Sequence, residues 1–280
     1  QIRIRRFEDN QLAGTETDFV AIEEPLEIRI RGNAIAITMR TPGHDIELAA
    51  GFISTEGIIK ERSEILEIAH CEDDKANDDR NIVNVFLHPA VKIDLEKFKR
   101  HFFTNSSCGI CGKATIESVQ SLFPPIISNI SITTHRLNSF PDKLRKAQKT
   151  FHETGGLHAA ALFDTSGQLL VLREDVGRHN AVDKLNGWAV LNNQLPLSDR
   201  IMLLSGRASF ELIQKCIMAR VSVVCAISAP SSYAVRLARE FGITLVGFMR
   251  EGRFNIYSGS ERILGPSYVL PNSAVNKRSA

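Results

Sequence analysis

Little in this chain leans hard in any one direction. Its 34 Lys and Arg face 32 Asp and Glu, for a net charge of +2. That field is too weak to argue for nucleic acid or an anionic membrane as partner. No apolar run is long enough to span a bilayer, and no basic-then-apolar leader opens the chain. The five cysteines are an odd number, and Cys71, Cys216 and Cys225 are scattered through apolar stretches. A secreted disulfide framework is therefore not expected, and the reading is of a cytoplasmic protein. A second CxxC, or the close histidine pair that would complete a zinc site, is missing. So are a P-loop, a GxGxxG fingerprint and any internal repeat. The first residue is Gln1 rather than Met, so an upstream segment is expected in the natural chain. What is present suffices for a core without staples: 280 residues, 43% hydrophobic and 24% charged, enough for two domains or one large one.

Against that background one stretch stands out, Ser106-Ser107-Cys108-Gly109-Ile110-Cys111-Gly112-Lys113. Two cysteines lie two residues apart in a glycine-bracketed loop ahead of a helix expected at 114–123. A helix N-terminus and a nearby lysine both favour thiolate over thiol. The pair suits nucleophilic attack, disulfide exchange or carriage of a sulfur atom as a persulfide, and its residues alone leave these open. A thioredoxin-type dithiol is the nearest rival, although such motifs follow a strand in an early βαβ unit.

The first half reads as a small antiparallel sheet (Asp18–Ile22, Leu26–Ile30, Ala34–Met39, with a turn at Gly32-Asn33). A helix capped by Asp45, strands at 65–70 and 81–87 around an acidic tip at 72–80, and a basic helix at 94–103 follow. From Phe140 onward, helices alternate with continuous apolar strands, the pattern of βαβ crossovers and a largely parallel sheet covered on both faces. The expected division is a smaller α+β domain over 1–138 carrying the cysteine loop, an α/β domain over 139–265, and a polar tail over 266–280.

Three strand-to-helix turns in the second half carry small polar residues: Arg173-Glu174-Asp175-Val176-Gly177-Arg178-His179-Asn180, Ser205-Gly206-Arg207-Ala208-Ser209 and Ser228-Ala229-Pro230-Ser231-Ser232. In an open α/β sheet such turns gather at the carboxyl ends of the strands, where ligands bind. Helix N-termini there offer N–H groups to anions, and Arg178 and Arg207 add forked donors suited to phosphate. Taken singly, Ser205 and Ser228 read equally well as helix caps. His179 is placed to donate to a ligand, whereas Asp183 one turn later reads as half of a surface ion pair. His158, behind Gly155-Gly156, reads either as a satisfied core histidine or as part of a site.

Taken in order, these motifs resemble the FdhD/NarQ accessory proteins of formate dehydrogenase maturation. The resemblance runs through Thr41-Pro42-Gly43-His44-Asp45, Thr55-Glu56-Gly57-Ile58-Ile59, the cysteine loop, Thr154-Gly155-Gly156-Leu157-His158-Ala159-Ala160, the stretch Arg173 to Lys184, Ser205-Gly206-Arg207 and Gly247-Phe248-Met249-Arg250. It implies a cytidine-deaminase-like α/β/α core in a homodimer. Arg178-His179-Asn180 and Ser205-Gly206-Arg207 would stand near a deaminase's zinc motifs, but neither zinc signature is present, so deaminase chemistry is not implied. The implied activity is that of a sulfurtransferase and sulfur carrier. A cysteine desulfurase loads Cys108 or Cys111 as a persulfide. The sulfur then passes to the molybdenum (or tungsten) of a bis-molybdopterin guanine dinucleotide cofactor destined for formate dehydrogenase. The implied cofactor contacts are Arg178, His179, Ser205, Gly206 and Arg207, together with Gly247, Phe248, Met249, Arg250, Glu251 and Gly252, and GDP would mimic the ligand. Two other roles compete: a cofactor chaperone whose thiols only guard the metal, and a dithiol oxidoreductase.

Overall fold

The structure, a computed structural model, describes residues 1–71, 80–94 and 124–265. The cysteine loop with Cys108 and Cys111, and the tail after Gly265, lie outside the described residues. So do the expected helices at 94–103 and 114–123 and the acidic tip at 72–80, apart from Asp94 and Arg80.

A hairpin opens the chain, β1 (Ile2–Glu8) with β2 (Gln11–Asp18), largely solvated along both strands. The strand expected over Asp18–Ile22 does not form beyond Asp18, where β2 ends; residues 19–23 link it to β3 (Glu24–Ile30) and β4 (Asn33–Arg40). Their turn is Arg31-Gly32, with φ of 51° and 75°, the mirror-image turn that matches strand twist. Leu26, Ile28 and Ile30 alternate inward and are fully buried. Across them lies α1 (Asp45–Thr55), presenting Leu48, Ala49, Ala50 and Ile53. Its N-cap is His44 (φ 59°), not Asp45. The Asp45 carboxylate is instead occupied by the buried Arg40 guanidinium through two hydrogen bonds of 3.1 Å. With β5 (Ile65–His70) and β6 (Ile82–Leu87) the strand order is β4-β3-β6-β5, and β3 runs parallel to β6. This smaller sheet is mixed rather than antiparallel throughout.

The second half begins with β7 (Ile132–Thr133), α2 (Thr134–Asn138), α3 (Phe140–Ala147) and α4 (Lys149–Thr154). The helix expected over 144–152 is thus two, broken at Gln148. Next come β8 (His158–Phe163), β9 (Leu169–Asp175), α5 (Arg178–Leu191), β10 (Ile201–Leu204) and α6 (Phe210–Met218). Then follow β11 (Val223–Ala226), α7 (Ser232–Glu240), β12 (Thr244–Arg250), β13 (Arg253–Ser258) and β14 (Ile263–Leu264). Six of these strands form one sheet in the order β13-β12-β11-β10-β8-β9. Only β10, β11 and β12 run parallel; β8, β9 and β13 are antiparallel to their neighbours. The expectation of a largely parallel sheet is corrected to a mixed one. The connections explain it: the links after β8 and β12 are short turns, and a parallel neighbour needs a crossover of a dozen residues or more.

Both faces of this sheet are covered, and its central strands β10 (IMLL) and β11 (VVCA) are apolar and buried at every position. Ala160, Leu162, Met202, Leu204, Val224, Ala226 and Leu245 face α5, α6 and α7. Ala161, Phe163, Ile201, Leu203, Val223, Cys225 and Val246 face Ile132, Leu137, Phe140 and Leu144 on the other side. Phe140 stacks on Phe163 with ring centroids 4.0 Å apart. The architecture is α/β with helices on both faces of the larger sheet. Helix α5 belongs to both cores: Leu185 and Ala189 pack under the larger sheet, while Val190 joins the core of the smaller one. Among the described residues no helix is long and apolar enough to cross a membrane.

Candidate ligand-binding site

Parallel strands place their carboxyl ends together, and here backbone hydrogen bonds carry the register past the last residues of β10 and β11. Ser228 N donates to Gly206 O (3.2 Å), and Phe248 N donates to Ser228 O (3.1 Å). Antiparallel β8 begins where β10 ends, so the His158 imidazole Nδ1 stands 3.3 Å from the place a Gly206 Cβ would take. His158 pairs in turn with Asp175, the last residue of β9, three residues before α5 starts. One sheet edge therefore brings together Arg178 and His179, His158, the Ser205-Gly206-Arg207 turn, Ser228 and the Gly247–Gly252 hairpin.

Asp175 sets the posture of the first of these. Its fully buried carboxylate accepts from Lys184 Nζ (2.7 Å), Gly177 N (2.8 Å), Asn180 Nδ2 (3.0 Å) and Thr41 N (3.2 Å). Asn180 also bonds Thr38 and Met39 of β4, and Val176 N donates to Thr41 Oγ1. The motif from Arg173 to Lys184 is thus mostly a joint between the two sheets. Arg173 takes the Glu47 carboxylate of α1 in its fork at 2.5 and 2.7 Å, and the Glu174 carboxylate accepts from two backbone N–H groups of α4. Asp183, expected in a surface pair, is buried against Lys215 of α6. Lys215 Nζ lies 2.9 Å from each carboxylate oxygen, and Thr55 Oγ1 donates at 2.8 Å. Sequence spacing reports which residues share a helix face, but not that a second helix covers that face.

What the joint leaves free is cationic. The side chains of Arg178 and Arg207 make no hydrogen bond or ion pair with any other described residue. Beside Arg178 lie the two imidazoles and the Glu211 carboxylate on the first turn of α6. Burial first, and the Arg178 charge second, hold His158 below its ordinary pKa and His179 down at about 4. At neutral pH His179 is therefore uncharged, and its Nε2 is buried without a hydrogen-bond partner in the structure. Among the described residues no group of three or more His, Cys, Asp or Glu is placed to hold a metal ion.

This yields an acid-sensitivity prediction. Between pH 6.5 and 4 the unfolded chain protonates its His179 while the folded chain does not, so stability falls as pH drops through that window. The loss below pH 4 is on the order of 3 kcal/mol. The urea midpoint of His179→Gln should fall less between pH 7 and pH 4.5 than that of the unaltered protein. Parallel falls would refute the assignment.

Neither Ser205 nor Ser228 caps a helix, one of the two readings open for each. Ser205 Oγ accepts from Ala159 N (2.8 Å) and pins β8, while the N-cap positions belong to Ser209 and to Ser231, which accepts from Ala234 N (3.2 Å). In the hairpin, Gly247 is obligatory: a Cβ there would stand 2.9 Å from Pro230 Cδ and 3.0 Å from the Tyr257 ring. Met249 does not reach the edge at all; it is 1% exposed and packs in the core under the sheet. Arg250 is fastened to the Ile227 and Met249 carbonyls at 2.5 and 2.8 Å. Glu251 is exposed, and Gly252 (φ 72°) makes the tip of the turn. Sequence reasoning missed β13, although the alternation Arg253-Phe254-Asn255-Ile256-Tyr257 after Gly252 signals a strand. It also passed over Glu211, for which helix periodicity gives no sign.

Fold and edge together define an α/β protein whose parallel strands end at a face bearing Arg178 and Arg207. Comparison with known proteins agrees. The profile described as the FdhD/NarQ family matches residues 21–264. The chain is 49% identical over 271 residues to the sulfur carrier protein FdhD of Mycolicibacterium paratuberculosis, covering 94% of this chain and 99% of that one. It is 41% identical over 269 residues to the protein of that name from the archaeon Saccharolobus solfataricus, covering 94% and 99%. A Desulfotalea psychrophila crystal structure, provisionally named as a formate dehydrogenase accessory protein, superposes with a TM-score of 0.72 at 24% identity, over 94% of this chain and 98% of that one. This chain belongs to the FdhD/NarQ family.

Proposed function

We propose that this protein is a cytoplasmic, homodimeric sulfurtransferase. It carries sulfur from a cysteine desulfurase to the bis-molybdopterin guanine dinucleotide cofactor of a formate dehydrogenase. The observation that carries the reading is the sheet edge, where Arg178, Arg207 and the turn N–H groups meet in one place. Such an edge suits the phosphates of a guanine nucleotide. The names of the curated relatives support the sulfur chemistry. In this reading the larger sheet is a deaminase-like core that has kept a nucleotide pocket without a zinc motif.

The chemistry belongs to Cys108 and Cys111. A Cys108 thiolate attacks the outer sulfur of the desulfurase persulfide. Its Sγ–S bond forms as the donor's S–S bond breaks, and the donor cysteine leaves as a thiolate, with no net oxidation. For delivery, Cys111 attacks Cys108 Sγ. The pair closes to a disulfide, the dithiol supplies two electrons, and hydrosulfide leaves toward the metal, which is the substrate here. A thiol reductant then restores the pair.

Incubation with a desulfurase and cysteine, followed by peptide mass spectrometry, should find an added sulfur on Cys108 or Cys111. An active desulfurase that leaves both unmodified would reject carriage. Separately, Arg178→Ala and Arg207→Ala should each weaken GDP binding about tenfold or more, since hydrogen bonds to charged groups contribute about 1.5–3 kcal/mol. Calorimetry showing unchanged affinity in both variants would reject the nucleotide site.

A further inference from the structure

The helices α5, α6 and α7 end at the opposite edge of the larger sheet, where β10, β11 and β12 begin, and each ends in the same turn. The residue just past the helix is left-handed: Asn193 after α5 (φ 54°), Arg220 after α6 (φ 61°) and Gly242 after α7 (φ 68°). The next amide then bonds the carbonyl five residues back, Gln194 N to Ala189 O (2.8 Å), Val221 N to Cys216 O (2.9 Å) and Ile243 N to Ala238 O (2.8 Å). Glycine and asparagine are the residues this position ordinarily takes, and an arginine there is strained. Strain of that kind points to a use for the side chain. Arg220 spreads its fork over two consecutive backbone carbonyls, with Nη1 donating to Pro124 O at 2.5 Å and Nη2 to Pro125 O at 3.0 Å. Pro124 is the first described residue after the cysteine loop. The strap continues along the edge: Ile126 is buried and its N–H donates to Phe241 O (2.9 Å), and Ser128 Oγ donates to Ser198 O (2.6 Å).

We infer that Arg220 is a positioning residue for sulfur delivery: its fork sets the direction in which the cysteine-bearing segment leaves the body at Pro124-Pro125. The inference rests on the sulfur-carrier reading above. Between Cys111 and Pro124 the chain can extend by at most about 45 Å. The strands separating this edge from the ligand face are 4 to 7 residues long, about 13–23 Å. Tether length therefore does not decide where the thiols arrive, whereas a root held in one direction raises their local concentration there. Ile126 fixes where the root lies, and the fork fixes which way it points. Two successive prolines suit that task, since both have a locked φ and Pro124, preceding a proline, is held extended. Loading is a meeting of two proteins and does not depend on this direction. Delivery to a cofactor bound on the same chain does.

The test separates the two steps in Arg220→Gly, which removes the fork and places at the left-handed position the residue that favours it. Its thermal midpoint should equal or exceed that of the unaltered protein. With a desulfurase and cysteine carrying radiolabelled sulfur, persulfide formation on the full chain should proceed at the unaltered rate. Passage of the label from the loaded chain to bis-molybdopterin guanine dinucleotide should slow by roughly fivefold or more, the occupancy that charge-assisted hydrogen bonds maintain. Delivery at the unaltered rate, or equal slowing of loading and delivery, overturns the inference and leaves the sulfur-carrier reading standing. A thermal midpoint well below the unaltered one does the same, since the fork would then hold the fold and not the root. An unaltered chain that accepts no sulfur, or passes none on, overturns both.

Discussion

Gly187→Ala is expected to unfold the protein or separate α1 from α5, a destabilisation of at least about 3 kcal/mol. A Cβ at Gly187 would stand 1.7 Å from the Glu47 carbonyl oxygen and 2.7 Å from Gly51 N. Reciprocally, a Cβ at Gly51 would stand 1.7 Å from the Asp183 oxygen and 2.8 Å from Gly187 N. Both obstacles are backbone, so no side chain can swing aside. Alanine's better helix propensity returns about 1 kcal/mol at most. Relief requires moving α1 away from α5, and α1 carries Leu48, Ala49, Ala50 and Ile53 in the smaller core. Uncovering one large apolar side chain costs about 1.5–3 kcal/mol, against a total stability of about 5–15 kcal/mol for a native protein. Urea denaturation is the measurement. Gly265→Ala, where a Cβ meets nothing within 4 Å, is the neutral control. A Gly187→Ala protein as stable as that control would mean the helices do not cross this closely.

Lys215→Met should cost about 3–5 kcal/mol, because it leaves the Asp183 carboxylate buried without its cation. Asp183 is 3% exposed and Lys215 8%. Burial raises the Asp183 pKa against the pull of Lys215. For Lys215, burial works downward, but the Asp183 and then the Glu56 carboxylates outweigh it and hold the ammonium above its ordinary value. Removing the cation raises Asp183 further, so the stability of Lys215→Met should fall as pH rises toward neutrality, where the carboxyl must ionise. The variant should therefore lose less relative to the unaltered protein at pH 5 than at pH 8. The double variant Asp183→Leu with Lys215→Met should regain most of the loss, since apolar residues of similar volume often replace a buried pair without net cost. A double variant no better than Lys215→Met would show that the damage comes from lost packing, not from a stranded charge.

The two sites differ in how far the sequence announces them. Strands β10, β11 and β12 could be read directly, because a strand buried on both faces is an uninterrupted apolar run such as Ile201–Leu204 or Val223–Ala226. The turns that follow them could be read too, and their gathering at one edge followed from parallel strands alone. The antiparallel placement of β8, β9 and β13 could not, since hydrophobic periodicity has no direction. Asp183 reads as half of a surface ion pair, yet α5 buries it together with Lys184 and Asn186. Periodicity records whether a residue meets water, and it fails where polar groups meet partners 30 or 140 residues away, as Asp183 meets Lys215 and Asn180 meets Met39.

By itself, then, the sequence determined the α/β pattern, the strand-end turns bearing Arg178 and Arg207, and the family to which the Cys108–Cys111 motif belongs. These are local matters of side-chain period, turn chemistry and residue type. Tertiary structure alone decided that Gly51 and Gly187 must lack a Cβ and that Asp183 is a core ion pair. It alone withdrew Met249 into the core and turned its neighbour Phe248 outward. Each of those depends on what a distant segment brings within a few ångströms, and that proximity is created by folding.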